Sequence, residues 1–154
     1  MPTQRSQKLP SPKGIIMDAE ERGLLACRAA SDRKALDIAV LDLREISSIT
    51  DLFLVCSGQN PRQMRAIAEE IDNRLSERGV EPLSREGTGE GSWLLLDYDD
   101  LVIHIFSENA RLFYDLERLW TRAPRLTRLA GEPIAEPLAA GKPKPAAARA
   151  EGVP

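Results

Sequence analysis

Histidine occurs once in this 154-residue chain, at His104, and cysteine twice, at Cys27 and Cys56. The cysteines form no C-x-x-C pattern and have no histidine cluster beside them. Neither a zinc site nor a disulfide framework is therefore expected. Two reduced, half-buried thiols in a cytoplasmic compartment fit this usage better. No stretch approaches the roughly 18 consecutive apolar residues of a membrane-spanning helix. Residues 1–17 lack the continuous apolar segment of a secretory signal. Pro2, Pro10 and Pro12 would also break the amphipathic helix of a transit peptide. Aromatic residues make up only 5% of the chain, so each Trp and Tyr carries weight in a core or an interface.

The formal net charge of -3 conceals a stronger separation. Residues 1–17 carry three basic side chains and no acid. Residues 122–154 carry six basic and three acidic ones. The span 18–121 holds 12 basic against 21 acidic residues and stands at -9. A phosphate backbone would repel such a domain and a basic protein surface would attract it. A general RNA-binding module, which needs a basic surface studded with aromatics, fits poorly.

The chain divides into a flexible N-terminal arm (1–17), one domain (18–125) and a disordered Pro/Ala/Lys-rich tail (126–154). The tail lacks hydrophobic periodicity over most of its length. Within the domain, Asp18 is placed to cap a helix to about Ala30, with Leu24, Leu25 and Ala29 inward. Residues 35–43 alternate as a strand, with Leu36, Ile38, Val40 and Asp42 on one side. Residues 51–56 are nearly all apolar and read as a central strand. Pro61 opens a helix that stops at Gly79, with Met64, Ile67, Ala68, Ile71 and Leu75 as its apolar stripe. A short edge strand is expected over 80–84. Two strands, 93–97 and 101–106, then join through Tyr98-Asp99-Asp100. A last helix runs from Glu108 to Trp120, with Leu112, Leu116 and Leu119 in a core stripe and Phe113 and Trp120 on an overlapping one. The order implies an α/β (α+β sandwich) fold, a mixed sheet with helices packed on it.

Catalytic readings find little support. Gly87-Thr88-Gly89-Glu90-Gly91 leads into a strand, whereas a phosphate cradle needs a helix N-terminus. Asp97 and Asp99 form a D-x-D pair that could hold Mg²⁺ for nucleotidyl transfer. The preceding Gly91-Ser92 lies on the same strand as Asp97, too close for that arrangement, and an acidic turn is the simpler reading. His104 has no nucleophile placed beside it. It reads as a hydrogen-bonded strand histidine, or as a contact residue on the face it shares with Val102 and Phe106. Trp93, Leu95 and Asp97 do share one strand face. A large aromatic, an aliphatic and a carboxylate together suit an anchored binding surface.

Several ordered blocks resemble the ribosomal silencing factor family, also called Iojap. They are Lys34-Ala35-Leu36-Asp37-Ile38, Ser48 through Gly58, Arg62 through Ala68, Gly91-Ser92-Trp93-Leu94-Leu95-Leu96-Asp97-Tyr98, His104-Ile105-Phe106 and Arg111 through Trp120. The resemblance covers about residues 20–125. It implies a non-enzymatic repressor of translation with no cofactor and a nucleotidyltransferase-like fold that lacks the catalytic pattern. It further implies binding to the large ribosomal subunit through ribosomal protein fourteen, blocking association with the small subunit. The family's contact surface carries over to Trp93, Leu95 and Asp97, and next to Tyr98, Asp99 and His104. Tyr114 and Glu117 join if their helix borders that surface. Tyr98-Asp99-Asp100 departs from the family's common Tyr-Gly-Asp. The basic tails could add ribosomal RNA contacts, and the free protein could pair as a homodimer. A Mg²⁺-dependent nucleotidyltransferase using Asp97 and Asp99 is the alternative.

Overall fold

Two cap sequences set the start of the two long helices. In the computed structural model, which describes residues 17–88 and 90–134, Asp18 closes a capping box with Glu21. Its carboxylate accepts the Glu21 N–H at 2.9 Å, while Glu21 accepts the Asp18 N–H at 3.1 Å. Helix α1 (Ala19–Asp32) follows. Asn60 accepts the Gln63 N–H at 2.8 Å and Pro61 supplies the first turn of α2 (Pro61–Ser76). These devices satisfy N–H groups that would otherwise lack partners.

The six-stranded sheet has the order β3-β4-β5-β2-β1-β6. Its strands are β1 (Leu36–Asp42), β2 (Leu52–Gly58), β3 (Ser84–Gly87), β4 (Trp93–Asp97), β5 (Leu101–Ser107) and β6 (Arg125–Leu126). Only β2 and β5 run parallel, side by side at the centre; the other neighbours are antiparallel. The near-continuous apolar sequence of β2 is what a strand buried on both faces requires. Both α1 and α2 cover one face. Met64, Ile67, Ile71 and Leu75 pack there with Ala26, Ala30, Leu54, Leu96, Ile103 and Ile105. Both cysteines lie in this layer, fully rather than half buried, and burial pushes the Cys56 thiol up to about 12. Among the described residues, no helix is long and apolar enough to cross a membrane.

The structure corrects four expectations. The edge strand begins at Ser84, not Val80. Gly79, at φ 81°, turns the chain, and the Val80 N–H returns to the Leu75 carbonyl, so residues 79 and 80 close α2. In β1, Leu36 pairs with Ser57 but Ala39 pairs with Val55. That bulge, with Asp37 at φ 50°, inserts one residue and puts Leu36 on the face of Ala39 and Leu41 instead of with Val40.

The last helix is two pieces, α3 (Glu108–Tyr114) and α4 (Leu116–Leu119). Asp115 sits in the left-handed region at φ 49°, ψ 49°, a conformation Asp tolerates better than most residues. The break rotates the expected stripe outward: Leu112 and Phe113 are each 80% exposed and Leu119 is 75% exposed. Finally, the fold extends past 125. Leu126 pairs with Val40 on β1. A hairpin follows, β7 (Arg128–Leu129) and β8 (Glu132–Pro133), and it delivers Leu129 and Ile134 to the core under α1. The N-terminal arm up to residue 16 and the tail from 135 lie outside the described residues.

Candidate functional site

Among the described residues, the second face of the sheet has only partial cover. Ala110 and Leu116, from α3 and α4, pack on Val55 and Phe106, and Trp120 and Ala123 pack on Leu41 and Leu43. The strand register fixes what shares this face. Leu95 pairs with His104, which pairs with Val55; Trp93 pairs with Phe106; Asp97 pairs with Val102, which pairs with Phe53. Trp93, Leu95, Asp97, Val102 and Phe53 are all half-buried.

The aromatic rings form one connected strip across this face. Phe113 meets Tyr114 edge-on at 5.0 Å, and Tyr114 lies 4.7 Å from Trp93. Trp93 lies 4.9 Å from Phe106 and 5.9 Å from His104. His104 meets Phe53 at 4.6 Å, and Phe53 meets Trp120 at 5.6 Å. Three Phe, two Trp and two Tyr are all the aromatics the chain has, and every one except Tyr98 is in this strip. Six of the seven therefore gather on this one face, Phe106 buried beneath it and Phe113 and Tyr114 exposed at its edge.

The expected site residues separate into three groups. Trp93, Leu95 and Asp97 share the open face, and Tyr114, 41% exposed, borders Trp93. Asp99 stands at the turn beyond Asp97 with φ 77°, and its N–H donates to Asp97 Oδ1 at 2.8 Å. His104 belongs to the face but lies beneath its surface, only 4% exposed. Burial lowers its pKa to about 4, and its Nδ1 accepts the Trp93 indole N–H at 3.2 Å. Tyr98 is not on this face: it is 2% exposed and packs with the α1 and α2 layer, because it continues the alternation of Leu94 and Leu96. Glu117 is turned away toward Arg111 and Arg125.

Phe53 and Trp120 complete the strip. Phe53 had a signal in the sequence, since it alternates with Leu52 and Leu54, but its place beside His104 depends on the parallel pairing of β2 with β5.

A second feature opens at the carboxyl ends of β2 and β5. This cavity of about 540 Å³ is lined by Asp37, Ser57, Glu108, Asp115, Glu117, Arg111 and Arg125 among others. Arg111 donates to Ser57 Oγ at 3.0 Å and grips Glu117, which Arg125 also reaches at 3.3 Å. With both guanidinium groups turned on one carboxylate and three more carboxylates around them, the cavity would repel a phosphate. Burial raises the Glu117 pKa, but Arg111 and then Arg125 more than offset it, leaving it below the usual carboxylate value.

The Gly-rich segment is a hairpin approach. Thr88 N–H donates to the Trp93 carbonyl, and Ser92 N–H and Oγ both meet Thr88 Oγ1. Among the described residues, no group of three or more His, Cys, Asp or Glu is placed to hold a metal ion.

The family model "Ribosomal silencing factor during starvation" matches residues 17–152. The chain belongs to the ribosomal silencing factor family. It is 41% identical over 100 residues to ribosomal silencing factor RsfS of Bacillus subtilis, covering 65% of this chain and 85% of that protein. It is 39% identical over 108 residues to the RsfS of Halalkalibacterium halodurans, covering 70% and 92%. A crystal structure of a Chromobacterium violaceum protein superposes with a TM-score of 0.66 at 35% identity, covering 68% of this chain and 88% of that one. The silencing factor family is regulatory rather than catalytic, and its name places this chain's role at the ribosome, in repression of translation.

Proposed function

We propose that this chain represses translation by docking its aromatic face on ribosomal protein fourteen of the large subunit, where it blocks association with the small subunit. The observation that carries this reading is the strip of rings centred on Trp93 on a half-covered sheet face, rimmed by Asp97 and Asp99. Its chemistry suits a basic protein surface: apolar anchors at the centre, carboxylates at the edge, and a domain of net negative charge. Trp93 seats in the partner, Leu95 packs beside it, and Tyr114 extends the contact. The same face would serve a homodimer of the free protein, which docking would then have to open. The basic segments at 1–17 and 122–154 would add ribosomal RNA contacts once the domain has docked. The overall layout is nucleotidyltransferase-like in this reading, without the catalytic pattern.

The alternative, Mg²⁺ held by Asp97 and Asp99, is less well supported, because Asp97 Oδ1 already receives the backbone N–H of Asp99 in the turn. Co-sedimentation with isolated subunits tests the proposal. Wild-type protein should pellet with the large subunit only. Trp93→Ala should lose about 2 kcal/mol or more of binding free energy. Equal binding by the variant would remove Trp93 from the interface, and no binding to either subunit would defeat the proposal.

A further inference from the structure

His104 occupies a place surrounded by apolar and aromatic side chains. Its strand neighbours on the same row are Leu95 and Val55; Phe53 meets it edge-on, and Phe106 lies parallel to it at 6.1 Å. Among the described residues, its one side-chain polar contact is with Trp93. An indole N–H only donates, so Nδ1 must present a lone pair and the imidazole proton sits on Nε2. Nε2 is itself buried and meets no acceptor among the described residues. An orphaned buried donor is destabilising, and an aliphatic residue would avoid it. A histidine at this point therefore costs the fold stability, and what it supplies in return is the acceptor for Trp93.

The geometry points to His104 as the positioning residue of the docking face: as neutral imidazole with its proton on Nε2, it accepts the Trp93 N–H and sets the indole in the orientation the partner meets. This deepens the docking proposed above and rests on it. Ring contacts alone leave an indole free to pivot. Tyr114 and Phe106 flank Trp93 at 4.7 and 4.9 Å with tilted rather than parallel planes. One directed hydrogen bond from below removes that freedom before docking, so less order has to be imposed on binding. Protonation of Nδ1 would set a donor against a donor and release the indole.

The first test needs no mutation. Long-range nitrogen–proton correlation spectra of the wild-type protein should show His104 as the Nε2–H tautomer. The Trp93 indole proton should exchange slowly with water. The Nδ1–H tautomer, or an indole proton exchanging as fast as a free one, would overturn the assignment.

The second test compares variants on isolated large subunits. His104→Phe keeps a ring but removes the acceptor, and should weaken binding roughly three- to tenfold. His104→Asn restores an oxygen near the position of Nδ1 and should recover most of that loss together with slow indole exchange. If Trp93→Ala loses binding while His104→Phe binds like wild type, the positioning role is wrong and the docking face stands. If the wild-type protein does not bind, the docking proposal fails, while the tautomer measurement still judges the hydrogen bond. Should His104→Phe not fold, the wild-type spectra decide.

Discussion

Arg111 holds Glu117 across the break in the last helix, Nη2 to Oε2 at 2.8 Å and Nε to Oε1 at 3.1 Å. A continuous helix would not bring residues six apart face to face. The left-handed turn at Asp115 allows the contact. Ser57, which receives Arg111 Nη1, anchors the clasp to β2. It thereby fixes α3, which carries Tyr114 against Trp93. The Arg111 side chain is 12% exposed, so this pair differs from an ordinary surface bridge. Arg111→Ala should destabilise the domain by about 1–3 kcal/mol, since it leaves the half-buried Glu117 carboxylate with Arg125 alone, at 3.3 Å. Glu117→Gln, which keeps the shape, should cost less. Urea unfolding of both checks this, and an unchanged midpoint for Arg111→Ala would show the clasp to be incidental.

The 126–134 segment sets a second expectation. Leu129 is fully buried, and a Cβ added at Gly23 would lie 3.1 Å from its Cδ1. The hairpin also ties down Glu20. Its carboxylate accepts the Ala130 N–H at 2.8 Å and pairs with Arg44 at 2.9 Å, which hold its pKa below the usual value. Leu129→Ala should therefore cost about 2–4 kcal/mol, as a core truncation does. Thermal unfolding would read this loss; a change within measurement error would return these residues to the tail.

What the sequence made legible follows from which physical signals are local. The capping box at Asp18, Pro61 at the head of α2 and the unbroken apolar run of β2 act within a few residues, and each marks its element correctly. The Trp93, Leu95 and Asp97 face also follows from strand alternation alone. Two kinds of feature escaped. One is a single residue in the left-handed region: Asp37 shifts the alternation of β1, and Asp115 turns Leu112, Phe113 and Leu119 to solvent. Nothing in residues 108–120 announces that break, because the side chains on either side keep a helical spacing. The other is contact over long separation. Leu126, Leu129 and Ile134 sit in a basic, proline-containing stretch whose average composition hides them, and Phe53 meets His104 only through the parallel pairing of β2 with β5. The family resemblance assigns Tyr98 to the contact surface, but its parity is that of Leu94 and Leu96, which carries it to the α1 and α2 layer.

Burial of His104 has a consequence for stability against pH. In the folded chain the imidazole stays neutral down to about 4, against an ordinary value of 6.5. Between those values the unfolded chain binds the extra proton and the folded chain does not. Stability is therefore fully present above 6.5 and declines as pH falls toward 4. This one group should contribute a loss on the order of 3 kcal/mol across that window. His104→Phe should remove this part of the slope while leaving the contribution of the carboxylates. Urea midpoints at intervals between about pH 7 and pH 4.5 give the comparison. Parallel profiles for the two proteins would mean that the histidine titrates alike in both states.

The rim of the face should act on rate and salt dependence more than on affinity. Asp97 has two duties: its Oδ1 receives the Asp99 N–H that shapes the turn, and its charge faces the proposed partner. Asp97→Asn separates them, since the amide oxygen can still accept the Asp99 N–H while the charge is gone. The turn and the fold should survive, with an unfolding midpoint near wild type. Binding to large subunits at low salt should weaken by about 0.2–1 kcal/mol, mostly through slower association. Raising the salt screens the rim, so wild type and variant should converge. The Trp93→Ala defect should persist at every salt concentration, because its origin is lost apolar contact. If Asp97→Asn were equally impaired in low and high salt, the carboxylate would be acting through the turn rather than through charge, and the electrostatic part of the docking reading would fail while its aromatic part stood.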